Sequence, residues 1–320
     1  MALLLRKQWV LAAVLIGIGS SPISITAADG HLGPVTDVAT LGGRIFSVSQ
    51  GGVYEGVGTE LSQIFRPPFR VMSLAVFGGK LLLGGGEPGV SGVIGVCDLD
   101  GRGFRSLPVA KDLVYDVALH SSQNLAAVAC ADGRILTLKF PSLGKDTLVE
   151  RYHHTAAARA VAFSTKGDHL ASAGLDALVM LLPLDGRTKP IPLQDHSDKI
   201  DCLTFSPDSS LIASGARDGK VRIHNLEGRL VRTYTGIRSK TSETSWGLNT
   251  YIRSLAWGGS DGHLVAGDAT GTLYQLSTVD NRWKSLAGTM ETPVYSLCFS
   301  ADSRLLVGDS KLAIREISGF

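Results

Sequence analysis

One phrase recurs seven times along this chain. Its clearest copy is Lys199 to Leu226, KIDCLTFSPDSSLIASGARDGKVRIHNL, where three short runs of β-forming residues are separated by Ser-Pro-Asp-Ser-Ser and by Arg-Asp-Gly. The runs are Ile200–Phe205, Leu211–Ala216 and Lys220–Leu226, and a fourth, Leu230–Thr235, follows Glu227-Gly228. The breaks are turn chemistry: Pro fixes φ, Asp hydrogen-bonds nearby backbone, and Gly219 supplies positive φ in an Asp-Gly hairpin. Each unit is therefore a four-stranded antiparallel sheet of about 40 residues. Aligned on the inward apolar residue of the first strand, the phrase falls at Val38, Leu74, Val117, Val161, Leu203, Leu255 and Leu297, in steps of 36, 43, 44, 42, 52 and 42 residues. A sheet of this size cannot bury both faces alone, whereas seven stacked radially bury them in one another. The 320 residues would nominally suit two domains. The repeat instead makes residues 29–320 a single all-β, seven-bladed body with almost no helix.

Residues 1–28 have another character. Arg6-Lys7 precedes the apolar run Trp9–Gly19, and a stretch of small residues follows, which is the layout of an export signal. The run is shorter than the roughly 18–20 residues that span a bilayer, so no structural membrane span is expected beyond an N-terminal anchor. A cut after Ala28, with Thr26 at the −3 position, makes residues 1–28 a signal peptide; without a cut they are an anchor. The expected location is the periplasm or the cell exterior, or the membrane surface if the segment is retained. Ring closure bears on the choice. The last unit has strands only at about Val294–Phe299, Leu305–Gly308 and Leu312–Ile317, and the sole candidate for its fourth strand is the stretch around Ile23–Ala27.

The phrases FSPDSSLIASGARDGKVRIHNL, AVAFSTKGDHLASAGLDALVMLLPL and SLCFSADSRLLVGDSKLAIREI resemble WD40 repeats. Gly30-His31, four residues before Val35, and Asp195-His196, four before Ile200, resemble the Gly-His dipeptide that opens such a repeat. The resemblance covers about residues 30–318 and implies a seven-bladed WD40-like β-propeller that binds proteins or peptides without catalysis. The chain departs from the family at the Trp position six residues after the hairpin Asp: His224 follows Asp218, Leu182 follows Asp176, and Leu138 follows Asp132. The family's His, Ser, Asp, Trp hydrogen-bond tetrad is nowhere complete. The second unit, LLLGGGEPGVSGVIGVCDL, is also similar to a variant repeat of exported bacterial proteins that accompany c-type cytochromes, which implies such a cytochrome as a partner.

Several motifs have bland explanations. Asp195-His196-Ser197 carries the letters of a hydrolytic triad, but three consecutive residues cannot converge on one centre. His153 and His154 are neighbours on an extended segment and project to opposite faces, so they cannot chelate one ion. Gly84-Gly85-Gly86 lacks the Lys-Ser/Thr of a phosphate loop. Cys97, Cys130, Cys202 and Cys298 fall in four different units and read as small buried hydrophobes, with Cys97–Cys130 the least unfavourable bridge. No cofactor and no metal site is expected. A net charge of +2 from 31 basic and 29 acidic residues gives no electrostatic reason to expect nucleic acid.

Two features exceed what the repeat needs. The 52-residue step reflects an insertion across Gly236–Thr250, GIRSKTSETSWGLNT, and the second unit has a long hairpin at Gly86–Gly92. In WD-repeat propellers both connections emerge on the face called the top, and long loops on a rigid scaffold carry binding residues. On that face the residue after the first inward position of each first strand is Thr36, Met72, Tyr115, Arg159, Asp201, Arg253 and Tyr295. This ring offers Arg159, Asp201 and Arg253 as its only charges. The expected partner contact is Trp246, Arg238, Arg253, Tyr115 and Tyr295, with Arg159 and Met72 beside them, because Arg and aromatic residues dominate protein-binding hot spots. The alternative is an exported propeller enzyme or small-molecule binder that uses the mouth of the central channel.

Overall fold

A computed structural model describes residues 25–29, 31, 33–57, 60–120, 122–235, 251–258, 262–277, 282–286, 292–310 and 313–317. Their strands form seven four-stranded antiparallel sheets. Blade 1 runs Asp37–Leu41, Arg44–Ser49, Gly52–Val57, Glu60–Phe65 and blade 2 runs Arg70–Phe77, Lys80–Glu87, Ser91–Asp98, Arg105–Ala110. Blade 3 is Val114–His120, Leu125–Cys130, Arg134–Lys139, Val149–His153, and blade 4 is Ala158–Phe163, His169–Gly174, Val179–Pro183, Ile191–Leu193. Blade 5 is Ile200–Phe205, Leu211–Ala216, Val221–Asn225, Leu230–Tyr234, and blade 6 is Ile252–Gly258, His263–Asp268, Leu273–Leu276, Trp283–Ser285. Blade 7 takes Val294–Phe299, Leu305–Asp309 and Ala313–Ile317 from the end of the chain and Ile25–Asp29 from its beginning. The seven-bladed, all-β expectation holds, and a single 3-10 turn at Lys145–Thr147 is the only helical element among the described residues.

Blade 7 settles the closure question for the backbone. Ile25–Asp29 pairs antiparallel with Ala313–Ile317, Ile25 opposite Ile317 and Asp29 opposite Ala313. The described strand Ile25–Asp29 overlaps the stretch named from sequence and runs two residues beyond it. Blade 7 then meets blade 1 through the Val35 amide, which donates to the Asp309 carbonyl at 3.0 Å.

The core lies between blades rather than at one centre. All seven aligned inward residues, Val38 through Leu297, are buried, and each hydrophobic cluster mixes residues of two neighbouring blades. Close stacking requires small residues on one of the two faces. A Cβ added to Gly267 in blade 6 would stand 2.5 Å from Val294 Cγ1 of blade 7, and one on Gly308 in blade 7 would stand 2.9 Å from Val35 Cγ1 of blade 1. Glycine against a β-branched side chain is what lets adjacent sheets approach at these points. Gly84-Gly85-Gly86 lies inside the second strand of blade 2, where Gly84 has the same role, a Cβ there standing 2.6 Å from Val117 Cγ1 of blade 3, and a Cβ on Gly85 would meet the Arg70 carbonyl within blade 2. The blade 2 hairpin proves to be an extended ladder rather than a long loop, paired out to Glu87 and Ser91. Its tip is tied back by Asp112, which accepts the Gly89 amide at 2.8 Å.

Candidate functional site at the mouth of the central channel

The first strands of blades 2 to 7 all carry a register shift at one place, between Val71 and Ser73, Val114 and Asp116, Ala158 and Ala160, Ile200 and Cys202, Ile252 and Ser254, and Val294 and Ser296. The skipped residues are Met72, Tyr115, Arg159, Asp201, Arg253 and Tyr295. A β-bulge leaves its extra residue out of the ladder and re-aims its side chain. Here the six bulges, with Thr36 of blade 1, line one cavity of about 330 Å³. Five of the seven residues expected in a partner contact, Met72, Tyr115, Arg159, Arg253 and Tyr295, are therefore brought together. Trp246 and Arg238 lie outside the described residues.

Two Arg–Tyr stacks flank an acidic centre at this mouth. The Arg159 guanidinium lies 4.2 Å from the Tyr115 ring centre, and that of Arg253 lies 4.6 Å from the Tyr295 ring centre. Each is a cation held over an aromatic face. Between them Asp201 accepts Arg217 Nε at 2.7 Å and Nη2 at 3.1 Å, a two-pronged pair that also sets Asp201 Oδ1 3.3 Å from Arg159 Nε.

The cavity holds more charge than its ring. Among the seven ring residues Arg159, Asp201 and Arg253 are the only charges, but Asp37, Asp116 and Arg70 also line the cavity. Asp37 and Asp116 belong to a second tier, the residue after each bulge. In four of the seven blades the side chain of this tier accepts the amide of the next blade's inward residue. Leu74 N donates to Asp37 Oδ2 at 2.9 Å, Val117 N to Ser73 Oγ at 3.2 Å, Val161 N to Asp116 Oδ2 at 2.8 Å and Val38 N to Ser296 Oγ at 3.2 Å. The clue was present in sequence as Asp or Ser directly before the inward position, but the partners are 37 to 45 residues apart or, for Ser296, 258 apart.

Ser73 poses a proton question. Its Oγ lies 2.8 Å from Asp37 Oδ2 and 2.9 Å from Asp116 Oδ1. A hydroxyl has one proton, so it donates to one carboxylate, and the other link forms only when that carboxyl is itself protonated and donates to Ser73. Burial, then the Asp37 charge, push Asp116 up to about 7 against the lowering effect of its hydrogen bonds from Val161, Ser73 and Val117. Burial also raises Asp37, opposed by the Leu74 amide, Ser73, Ser296 and the Val38 amide.

The His, Ser, Asp, Trp tetrad that the resemblance implies is replaced by smaller networks with substitutes. In blade 4 His154 Nδ1 sits 3.0 Å from Asp176 Oδ2 and Nε2 sits 2.9 Å from Ser172 Oγ. The same spacing as Asp195-His196, four residues before the first strand's inward start, would have revealed this histidine. In blade 5 His196 Nε2 is 2.8 Å from Ser214 Oγ, while Asp218 accepts Arg222 Nη1 at 2.7 Å. Burial tends to raise Asp218, but His196 and Arg222 outweigh it and hold the carboxyl below its usual range. Burial lowers both His154 and His196. Asp195 turns away from His196 and lies 2.7 Å from Nε2 of His224, the residue in the Trp position, so the three consecutive residues form no catalytic triad. Tyr274 and Arg315 fill the same position in blades 6 and 7, donating to Asp268 at 2.9 Å and Asp309 at 2.9 Å. Cys97, Cys130 and Cys202 are buried free thiols, and Cys298, also free, is only partly buried.

Comparison with known proteins agrees with this geometry. The family model for the WD domain, G-beta repeat, matches residues 146–181 and 188–225. The fold is similar to the WD40 β-propeller domain of Doa1, with a TM-score of 0.72 at 18% identity, covering 92% of this chain and 96% of that one. Among curated proteins, Protein NEDD1 of Homo sapiens is 26% identical over 138 residues, 43% of this chain and 20% of that protein. WD repeat and HMG-box DNA-binding protein 1 of Xenopus laevis is 26% identical over 215 residues, 66% of this chain and 18% of that protein. The chain spans only about a fifth of these relatives. It is an all-β, seven-bladed propeller in which residues 146–181 and 188–225 match the WD40 repeat.

The Ser73 bridge makes a titration testable. A carboxyl raised in the fold adds stability in full below its unfolded value of about 3.9, and that contribution is lost as pH rises through about 7. The lowered histidines act in the opposite direction, losing stability as pH falls below about 6.5, so the informative quantity is a difference. Between pH 5 and 8 the stability of Asp116→Asn relative to wild type should rise by about 1–3 kcal/mol in urea titrations. A pH-independent difference would remove the shared proton from the account.

Proposed function

We propose that this protein is a non-catalytic interaction scaffold that presents the channel mouth of its propeller to a protein or peptide partner. The observation that carries this is the convergence of six bulged residues and Thr36 on one cavity, two Arg–Tyr pairs among them. Rigid aromatics and planar guanidinium groups offer large contact area at low entropic cost, and a scaffold of closed sheets holds them in place before any partner arrives. Trp246 and Arg238 join the surface on sequence grounds alone, through the insertion at 236–250.

The rival reading, chemistry in the channel, has one observation on its side. Asp116, held near 7 beside Asp37 in a cavity, has the perturbation common to catalytic acids. Against it, Asp116 accepts the Val117 and Val161 amides and meets Ser73, so its oxygens are occupied by joining blades.

Export is the finer part of the proposal, with an exported c-type cytochrome as the partner that the second unit's resemblance suggests. It rests on the layout of residues 1–28. A cut after Ala28 would remove most of the closing strand Ile25–Asp29, so the mature chain should begin at or before Ile25 or keep the whole segment as an anchor. Mass spectrometry of the native protein reads its first residue. A mature start at Asp29 in a stable protein would show that the ring closes without that strand, and an intact Met1 in a cytosolic fraction would defeat export.

For the interaction itself, partner recovery from the native extract should fall by about tenfold or more for Arg253→Ala and for Tyr295→Ala, each with an unfolding midpoint near that of wild type. Undiminished recovery by both would move the interface to the opposite face or to the outer blade edges.

A further inference from the structure

The channel mouth is positive where its charges are free to bind. Asp201 is engaged by the Arg217 fork and faces Arg159. Asp37 and Asp116 accept amides and hydroxyls within the second tier, in blades 1 and 3, two and three blades from Arg253 around the ring of seven. Arg253 has no carboxylate partner among the described residues; its guanidinium lies over the face of Tyr295. Contact with an aromatic face takes up none of the N–H groups of its fork. Arg159 Nε is shielded from solvent and aligned with no acceptor. Arg70 lines both this cavity and a neighbouring one of about 390 Å³ walled by Arg66, Pro67, Pro68, Phe69 and Glu87. With two arginines against one glutamate, net positive charge continues from the mouth into the cleft between blades 1 and 2.

We infer that the mouth takes the carboxylate of an acidic peptide, gripped by the Arg253 fork with Arg159 beside it, the peptide continuing past Arg70. The inference rests on the reading of this face as the partner surface and adds the partner's chemistry. A planar two-oxygen anion matches the fork, whereas a basic or apolar side chain would leave buried cationic donors unmet.

The test is panning of the full-length protein against a displayed library of 12-residue peptides, followed by affinity measurements with the selected peptides. Enrichment of Asp and Glu is expected. Affinity should fall by about tenfold or more when the peptide's acids become Gln and Asn, or on Arg253→Gln, with Arg253→Lys recovering only part because it lacks the fork. Met72→Trp, which narrows the mouth without touching a charge, should also weaken binding. Selected peptides without acids that Met72→Trp weakens would overturn the carboxylate while leaving the partner surface in place. Peptides indifferent to all three variants, or no enrichment at all, would overturn both.

Discussion

Backbone amides at the axis of a closed propeller have to be satisfied without a sheet. The seven first strands stand around the channel, each hydrogen-bonded on one side only, to the second strand of its own blade. The inward residues Val38, Leu74, Val117 and Val161 direct amides toward the neighbouring blade, where an unpaired buried donor would cost about 1–3 kcal/mol. The preceding blade supplies the acceptors, Ser296, Asp37, Ser73 and Asp116 in turn. At these four joints, joining blades at the axis is therefore a side-chain task, and it places short polar residues where the core would otherwise be apolar. It also explains a carboxylate pair in the channel without reference to catalysis.

The surface lies one residue away. In blades 2 to 7 a bulge leaves one residue of the first strand out of the ladder, facing the mouth, directly before the position that joins blades where a joint is made. Met72, Tyr115, Arg159, Asp201, Arg253 and Tyr295 are free to vary because the ladder does not use them. Blade joining and ligand display are thus alternate positions of one strand. The joining residues need acceptor atoms, while the displayed residues are chosen for what they meet.

Much of this was legible beforehand because it is periodic. Strands Ile200–Phe205, Leu211–Ala216 and Val294–Phe299 fall where turn chemistry and alternation put them, and the mouth ring follows from counting one residue past the inward start. What escaped was aperiodic. Asp37, Ser73 and Asp116 meet across blades, so their distances depend on sheet stacking that no local pattern contains. His154 was hidden beside His153, and Tyr274 and Arg315 are unlike the Trp they replace while keeping its bond to the hairpin Asp. The blade 2 hairpin read as a loop because its glycines resemble turn residues, whereas they serve close backbone approach inside a ladder.

Native-state hydrogen exchange resolved to single amides tests the axial joint directly. The amides of Val38, Leu74, Val117 and Val161 should exchange only through global unfolding, and replacing Asp116 by Ala should release Val161 while leaving Leu74 and Val38 protected. If these four amides exchange as fast as turn amides such as those of Gly78 and Gly79, the inner tier does not hold the blades together and the mouth is not a preformed surface.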